Sequence, residues 1–172
     1  MTHPDQSSAE PRQHERIEVE RVIPASPEAI FAVLRDPQGH VDIDASGMLM
    51  DATGSPVGAV GDRFTVHMDR EALGDVPMGE YDVDVLIHRY RADTEIAWSI
   101  LGTIRPPIGH LYGYLLAPIE PAEDGSPRTL VTSYYDWSEA LPKWKAIFPV
   151  ISEQNLKGTL GILARTVVRR GR

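Results

Sequence analysis

The chain contains no cysteine. That absence excludes disulfides, thiolate nucleophiles, zinc ribbons and iron–sulfur ligation together, and it fits a reducing, cytoplasmic compartment. Positive charge is scarce: 17 Lys and Arg stand against 25 Asp and Glu, a net charge of −8. Nucleic acid is thereby excluded as the main partner, because phosphate contacts need a basic face. No apolar run reaches the roughly 18 residues that a spanning helix needs, so no membrane insertion is expected. The first residues form no charged-then-apolar leader, which again predicts a cytoplasmic protein. The short catalytic signatures are missing as well: there is no G-x-S-x-G, H-E-x-x-H, P-loop or G-x-G-x-x-G. No motif implies a cofactor, and none is expected.

What is present suits a globular chain. Hydrophobic residues make up 42% and charged residues 24% of 172 positions, enough for one core. Residues 1–15 (MTHPDQSSAEPRQHE) hold no Ile, Leu, Val or aromatic side chain. Such a segment cannot offset its own ordering entropy, so a disordered tail is predicted there and a single domain over 16–172. Ile17, Val19, Arg21 and Ile23 alternate with Glu18, Glu20 and Val22, a strand that stops at Pro24. Ser26-Pro27-Glu28 reads as a helix start, with Ser as N-cap and Pro at the first helical position. That short helix ends at Asp36-Pro37, and a second helical turn comes next through His40, Ile43 and Asp44 before the break at Ser46-Gly47.

The middle of the chain alternates with period two. Phe64, Val66 and Met68 form one series. Tyr81, Val83, Val85 and Ile87 form the next, then Ile96, Trp98 and Ile100, then Tyr112, Tyr114 and Leu116, and last Val131, Ser133, Tyr135 and Trp137. Strands in sequence joined by short turns make an antiparallel meander with one dry and one wet face. Fourteen Gly and 14 Pro punctuate it, as many turns require. The last segment changes period: Leu156, Leu160, Leu163 and Val167 mark one stripe of a helix from about Pro149 to Arg169. Arg165, Arg169 and Arg170 complement the negative end of its dipole rather than forming a nucleic-acid patch.

A single helix is about 10 Å wide, whereas five or more strands about 4.8 Å apart span over 20 Å. One helix cannot fill the hollow of such a sheet. Space is therefore expected between sheet, terminal helix and short helices, of the kind that holds a small apolar ligand.

Specific strings join this order of elements. Ile17 to Gly47 (IEVERVIPASPEAIFAVLRDPQGHVDIDASG) resembles the opening of the START/Bet v 1-like superfamily, also called SRPBCC. Gly61 to Met68 (GDRFTVHM), Tyr112 to Pro118 (YGYLLAP) and Thr129 to Ser138 (TLVTSYYDWS) resemble its later strands, closest to the bacterial polyketide cyclase/dehydrase and lipid-transport branch. The resemblance implies an α+β helix-grip fold, a seven-stranded antiparallel sheet curved round the C-terminal helix with two short helices after the first strand. It implies a hydrophobic tunnel for sterols, lipids, polyketides, quinones or hormones. The chain departs from the pattern at Gly125-Ser126-Pro127-Arg128, where a glycine pair is usual, and in an extended loop from Arg70 to Gly79.

The candidate ligand-binding set is Phe64, Trp98, Tyr112, Tyr114, Tyr135 and Trp137 from the strands with Leu156, Leu160 and Leu163 from the helix. Each aromatic has a plainer reading as packing between sheet and helix. Met68 and Met78 read as gap-fillers, and Arg63 and His67 point to solvent if Phe64 points inward. Catalytic candidates are His88, placed by alternation on the face of Leu86 and Tyr90, together with Tyr135 and Asp136. His40-x-Asp42-x-Asp44 falls short of a metal shell and reads as turn-forming chemistry, so no metal site is expected. Three functions compete. The first is binding or transport of a small hydrophobic molecule by a monomer or homodimer. The second is a cyclase or dehydratase working in the same cavity. The third is an interaction protein using the cavity mouth, with Leu73, Val76, Pro77 and Met78 as its apolar patch.

Overall fold

The computed structural model describes residues 14–172. The expected tail lies outside the described residues except for its last two. Of these, Glu15 is tied down: its carbonyl accepts the Trp137 N–H at 2.9 Å and its carboxylate meets Lys145 Nζ at 2.8 Å. The elements are β1 (Arg16–Ile23), α1 (Pro27–Leu34), α2 (Pro37–Ile43), β2 (Leu49–Thr53), β3 (Arg63–Asp69), β4 (Glu80–Arg91), β5 (Glu95–Leu101), β6 (Leu111–Ile119), β7 (Arg128–Asp136) and α3 (Glu153–Arg170). Two 3-10 turns, Glu71–Leu73 and Pro142–Ile147, interrupt the loops. The strands form one antiparallel sheet in the order β1-β7-β6-β5-β4-β3-β2. This is the helix-grip α+β architecture.

α3 buries Leu156, Leu160, Leu163 and Val167, the stripe read from the sequence. It packs on β1, β7, α1 and α2. The helix therefore covers one end of the sheet, and the inner faces of β3 to β6 curve away from it. Its first turn lies later than the sequence suggests. Pro149 and Val150 precede it, and Ser152 caps it in a box with Asn155: the Asn155 N–H donates to Ser152 Oγ at 3.2 Å and the Ser152 N–H to Asn155 Oδ1 at 2.9 Å, so two backbone donors at that end are satisfied reciprocally from this position. At the other end Arg170 pairs with Asp42 of α2.

Two further differences have local causes. β2 escapes the alternation analysis because it is a short edge strand with mixed exposure; only Leu49 and Ala52 are partly buried. In β4 the register shifts between Ile87 and Arg89. The extra residue at this bulge reverses the facing of the residues beyond it. Ile87 and Tyr90 both turn inward, Tyr90 edge-on to Phe31 at 5.4 Å, while His88 stays outside. The expectation that His88 and Tyr90 share a face is corrected by that one bulge.

α1 and α2 approach each other at Gly39. A Cβ on this glycine would collide with the backbone carbonyl of Val33. Gly→Ala in an ordinary helix interior adds about 1 kcal/mol of stability. Here the obstacle is backbone and cannot rotate aside. We expect Gly39→Ala to lower the urea midpoint, costing on the order of 1–3 kcal/mol as overpacking does; unchanged or raised stability in equilibrium unfolding would show that the two helices are not in tight contact.

Candidate functional site

The space left uncovered by α3 is a cavity of about 600 Å³, within the range of about 300–1,000 Å³ common for small-molecule sites. Its apolar wall comes from Val66 of β3, Val85 of β4, Trp98 and Ile100 of β5, and Leu156 of α3. Tyr112 and Tyr114 of β6 add rings with hydroxyl tips. Inward alternation along each strand is what brings them together. Its rim is formed by Asp44, Ser46 and Leu49 on one side and by Val150, Ile151 and Asn155 on the other.

One polar pole is His40. Asp36 caps α2 by accepting the Gln38 N–H at 3.2 Å, and Gln38 ties the helix to β2 through Asp51 and Ala52 at 2.6 and 3.0 Å. The absent side chain of Gly39 lets α2 settle inward, so His40 is only 6% exposed. Its ring lies 4.5 Å from Trp98 and 4.8 Å from Phe64. Nε2–H donates to the Leu34 carbonyl at 2.8 Å, which leaves Nδ1 as an acceptor. Burial lowers its pKa to about 4, against smaller opposing effects of the Leu34 carbonyl and Asp36. His40 is thus a neutral imidazole at physiological pH. Asp44, its neighbour in the H-x-D-x-D string, organises the rim loop instead, accepting from Ser46 and from the Leu49 N–H. Among the described residues no group of three metal-ligating side chains converges.

The second pole is His110. Gly109 takes φ +90°, and a Cβ there would lie 2.8 Å from the Glu139 carbonyl. The Leu141 N–H donates to the Ile108 carbonyl at 3.1 Å. These close approaches pin the loop before β6 onto the segment after β7. His110 Nδ1 therefore sits 2.6 Å from the Tyr135 hydroxyl. Tyr135 is 0% exposed, and its ring lies 4.9 Å from that of Tyr112. Burial lowers the His110 pKa, raises Tyr112 to about 12, and raises Tyr135 further, with Tyr112 adding to the shift. Tyr114, stacked on Trp98 at 5.8 Å, is also raised by burial to about 12, partly offset by the nearby Ser133.

The candidates named from the sequence separate into layers. Trp98, Tyr112, Tyr114 and Leu156 line the cavity. Phe64, Tyr135, Trp137, Leu160 and Leu163 are buried in the packed layer behind its surface; Trp137 stacks on Phe148 at 6.1 Å. Met68 and Met78 sit at the cavity itself rather than filling gaps. His88 lies on the convex face with Nε2 2.8 Å from Ser99 Oγ, too far round the sheet for catalysis in the cavity. Asp136 also points outward, accepting from Ser138 N–H and Oγ at 2.9 and 2.6 Å beside Arg16 at 3.7 Å. Arg63 is exposed, and His67 bonds Asp82 on the outer face at 2.7 Å. His110 escapes the sequence analysis, although His110, Tyr112 and Tyr114 have the same parity and extending the strand by two residues finds it.

His40 makes stability depend on pH. Its folded pKa of about 4 lies below the ordinary 6.5, so the unfolded chain binds the extra proton between these values. Stability is fully present above pH 6.5 and falls as pH drops towards 4, by up to about 3 kcal/mol from this group. We expect His40→Gln to flatten that part of the stability–pH curve measured by urea unfolding; an unchanged slope would place the dependence elsewhere.

No protein-family model matches the chain, and no curated protein matches it in sequence. Solved structures do match in shape. An AHSA1-like protein from Aeromonas hydrophila is 19% identical over 91% of this chain and 94% of its own, with a TM-score of 0.57. The Aha1 dimer from Colwellia psychrerythraea is also 19% identical, over 88% and 95%, at 0.56. Norcoclaurine synthase from Thalictrum flavum, in complex with dopamine and hydroxybenzaldehyde, is 15% identical over 90% and 86%, at 0.56. At these identities the likeness concerns architecture, and what it establishes is that the chain has the Bet v 1-like (SRPBCC) fold.

Proposed function

We propose that the protein binds a small, uncharged hydrophobic molecule, such as a quinone, a polyketide or another aromatic compound, inside the cavity. The observation that carries this reading is the cavity itself, an apolar chamber of about 600 Å³ with neutral polar groups on its wall. No lysine lines it among the described residues. Arg70 at its rim is already held by Asp75 at 3.0 and 2.8 Å. A buried carboxylate would lack a partner there, and burying an unpaired charge is costly. A neutral ring can instead stack against Trp98 and Tyr114 and offer a hydroxyl to His40 Nδ1. The same reading places the protein in the cytoplasm as a monomer or homodimer, carrying its ligand rather than inserting into a bilayer. No described helix is long and apolar enough to cross a membrane.

A second reading, an enzyme of the cyclase or dehydratase kind, is favoured by one feature: the His110–Tyr135 contact of 2.6 Å beside the chamber. Norcoclaurine synthase is an enzyme of the same architecture, though a shared fold hosts many chemistries.

A thermal-shift comparison tests the binding reading. Menadione, a neutral bicyclic quinone, and a flavonoid are expected to raise Tm, since ligand at 100 times its Kd adds about 2.7 kcal/mol. Palmitate is expected to add nothing. Ile100→Trp, which fills the chamber from a wall position, should abolish the shift without lowering basal Tm. A shift that survives in Ile100→Trp places binding outside the cavity.

A further inference from the structure

We propose that His40 and His110 read opposite hydrogen-bonding polarity in the cavity, the first as a fixed acceptor and the second as a fixed donor, and that together they select a flat aromatic ligand bearing both a hydroxyl and a carbonyl, a hydroxyaryl ketone. This rests on the cavity being a ligand site, and it names the ligand class for that reading.

Both histidines line the cavity, and each commits one nitrogen to a protein group. That commitment decides what the other nitrogen offers, because a neutral imidazole carries one N–H and one lone pair. His40 Nε2 lies 2.8 Å from the Leu34 carbonyl, which can only accept. The proton is therefore on Nε2, and Nδ1 keeps the lone pair. Among the described residues no hydrogen bond engages Nδ1, yet it is not shut in: the enclosed side-chain nitrogens and oxygens without a partner are Arg35 Nε and Trp144 Nε1. His40 is only 6% exposed, so its open nitrogen faces the cavity.

His110 is decided by its partner. Its ring is wedged among Tyr112, Tyr135 and Phe148, with centroids 5.8, 5.7 and 5.5 Å away. Its Nδ1 lies 2.6 Å from the Tyr135 hydroxyl, and that hydroxyl must place one proton. Tyr135 is 0% exposed and does not line the cavity. Among the described residues its hydroxyl has no hydrogen-bond partner besides Nδ1. With the His110 proton on Nδ1, the Tyr135 O–H would be buried with no acceptor, which is costly. The stable arrangement has Tyr135 O–H donating to Nδ1 and the imidazole proton on Nε2. Nε2 is also without a partner and not enclosed, so it offers an N–H to the cavity. Burial holds both rings in their neutral forms.

The two residues are thus the same tautomer, turned to the cavity by opposite nitrogens. Neither can switch without leaving a buried group unpaired, the Leu34 carbonyl in one case and the Tyr135 hydroxyl in the other. The hydroxyls of Tyr112 and Tyr114 do not discriminate in this way, since a hydroxyl donates or accepts as required. His40 therefore demands an O–H and repels a carbonyl, lone pair against lone pair. His110 demands an acceptor, and a carbonyl oxygen serves better than a phenol oxygen, whose lone pair is delocalised into its ring. A ligand with one hydroxyl satisfies His40 and one with one carbonyl satisfies His110; only a ligand with both satisfies the pair. The stacked rings of Trp98 and Tyr114 give its flat body a surface to lie on.

The test compares three ligands by equilibrium dialysis at neutral pH: 4′-hydroxyflavone, which has both groups, flavone, which has the carbonyl alone, and 4′-hydroxyflavan, which has the hydroxyl without the carbonyl. 4′-Hydroxyflavone is expected to bind about fivefold more tightly than either of the others, the factor one net hydrogen bond contributes. His40→Gln keeps an N–H for the Leu34 carbonyl but has nothing in place of Nδ1; it should weaken the two hydroxylated ligands about fivefold and spare flavone. His110→Asn keeps an oxygen for the Tyr135 O–H but has nothing in place of Nε2–H; it should weaken the two ketones about fivefold and spare 4′-hydroxyflavan. A merely structural defect would weaken all three ligands alike. Should a variant not fold, ring-nitrogen NMR of the full unmodified chain decides the matter, with both histidines expected as Nε2–H tautomers. An Nδ1–H tautomer at either histidine, equal affinity for the three ligands, or variant losses shared by all of them overturns the pair and leaves the binding reading intact. Failure of menadione and all three ligands to bind overturns both.

Discussion

The structure turns on a mismatch of widths. A helix about 10 Å across must cover a sheet whose seven strands lie about 4.8 Å apart. α3 resolves this by covering one end. Its stripe of Leu156, Leu160, Leu163 and Val167 seals against β1, β7 and the short helices. Arg170 anchors its last turn to Asp42, and the Ser152–Asn155 box fixes its first. What neither that stripe nor α2 fills over the inner face of β3 to β6 is the cavity. The site is therefore a consequence of how the core is closed, with the ends of α3 deciding how far the closure extends.

Within the chamber, burial controls the chemistry. Imidazole and phenol groups removed from water are driven to their neutral forms and must find partners. His40 commits one nitrogen to the Leu34 carbonyl and keeps the other as an acceptor. His110 commits one to Tyr135. The result is a pocket with hydrogen-bonding capacity and no formal charge at its aromatic wall, the feature on which the proposed binding of an uncharged ligand rests. Two glycines stand behind this arrangement. Gly39 lets α2 press onto α1 and carry His40 inward, and Gly109 lets the loop before β6 lie on the backbone of Glu139 and Ala140.

The architecture shared with the AHSA1-like proteins and norcoclaurine synthase supplies the gripped helix and the sheet. It does not supply the polar groups, which belong to each sequence. In this chain they come from α2 and from the edge of β6, positions that adjoin the cavity but are set by separate loops. Function on such a scaffold resides in those groups.

Much of the fold was legible in the sequence. Period-two runs such as Phe64-Val66-Met68 and the four-three-four spacing of Leu156 to Val167 identify strands and helix because side-chain direction follows backbone geometry directly. Ser26-Pro27 marks a helix start for the same local reason. The existence of a hollow is legible too, since one helix is too narrow for so wide a sheet. The identity of its surface was decided elsewhere. One bulge between Ile87 and Arg89 sends His88 outward and Tyr90 inward, an inversion that no alternation rule contains. Tyr135 and Trp137 have the inward parity yet lie behind the surface, because depth depends on what packs in front of them. The His110–Tyr135 contact joins residues 25 apart through loop packing. Local sequence determines which way a side chain faces; only the closed tertiary structure determines how deep it lies and which polar group it meets, since both depend on surfaces brought together from distant parts of the chain.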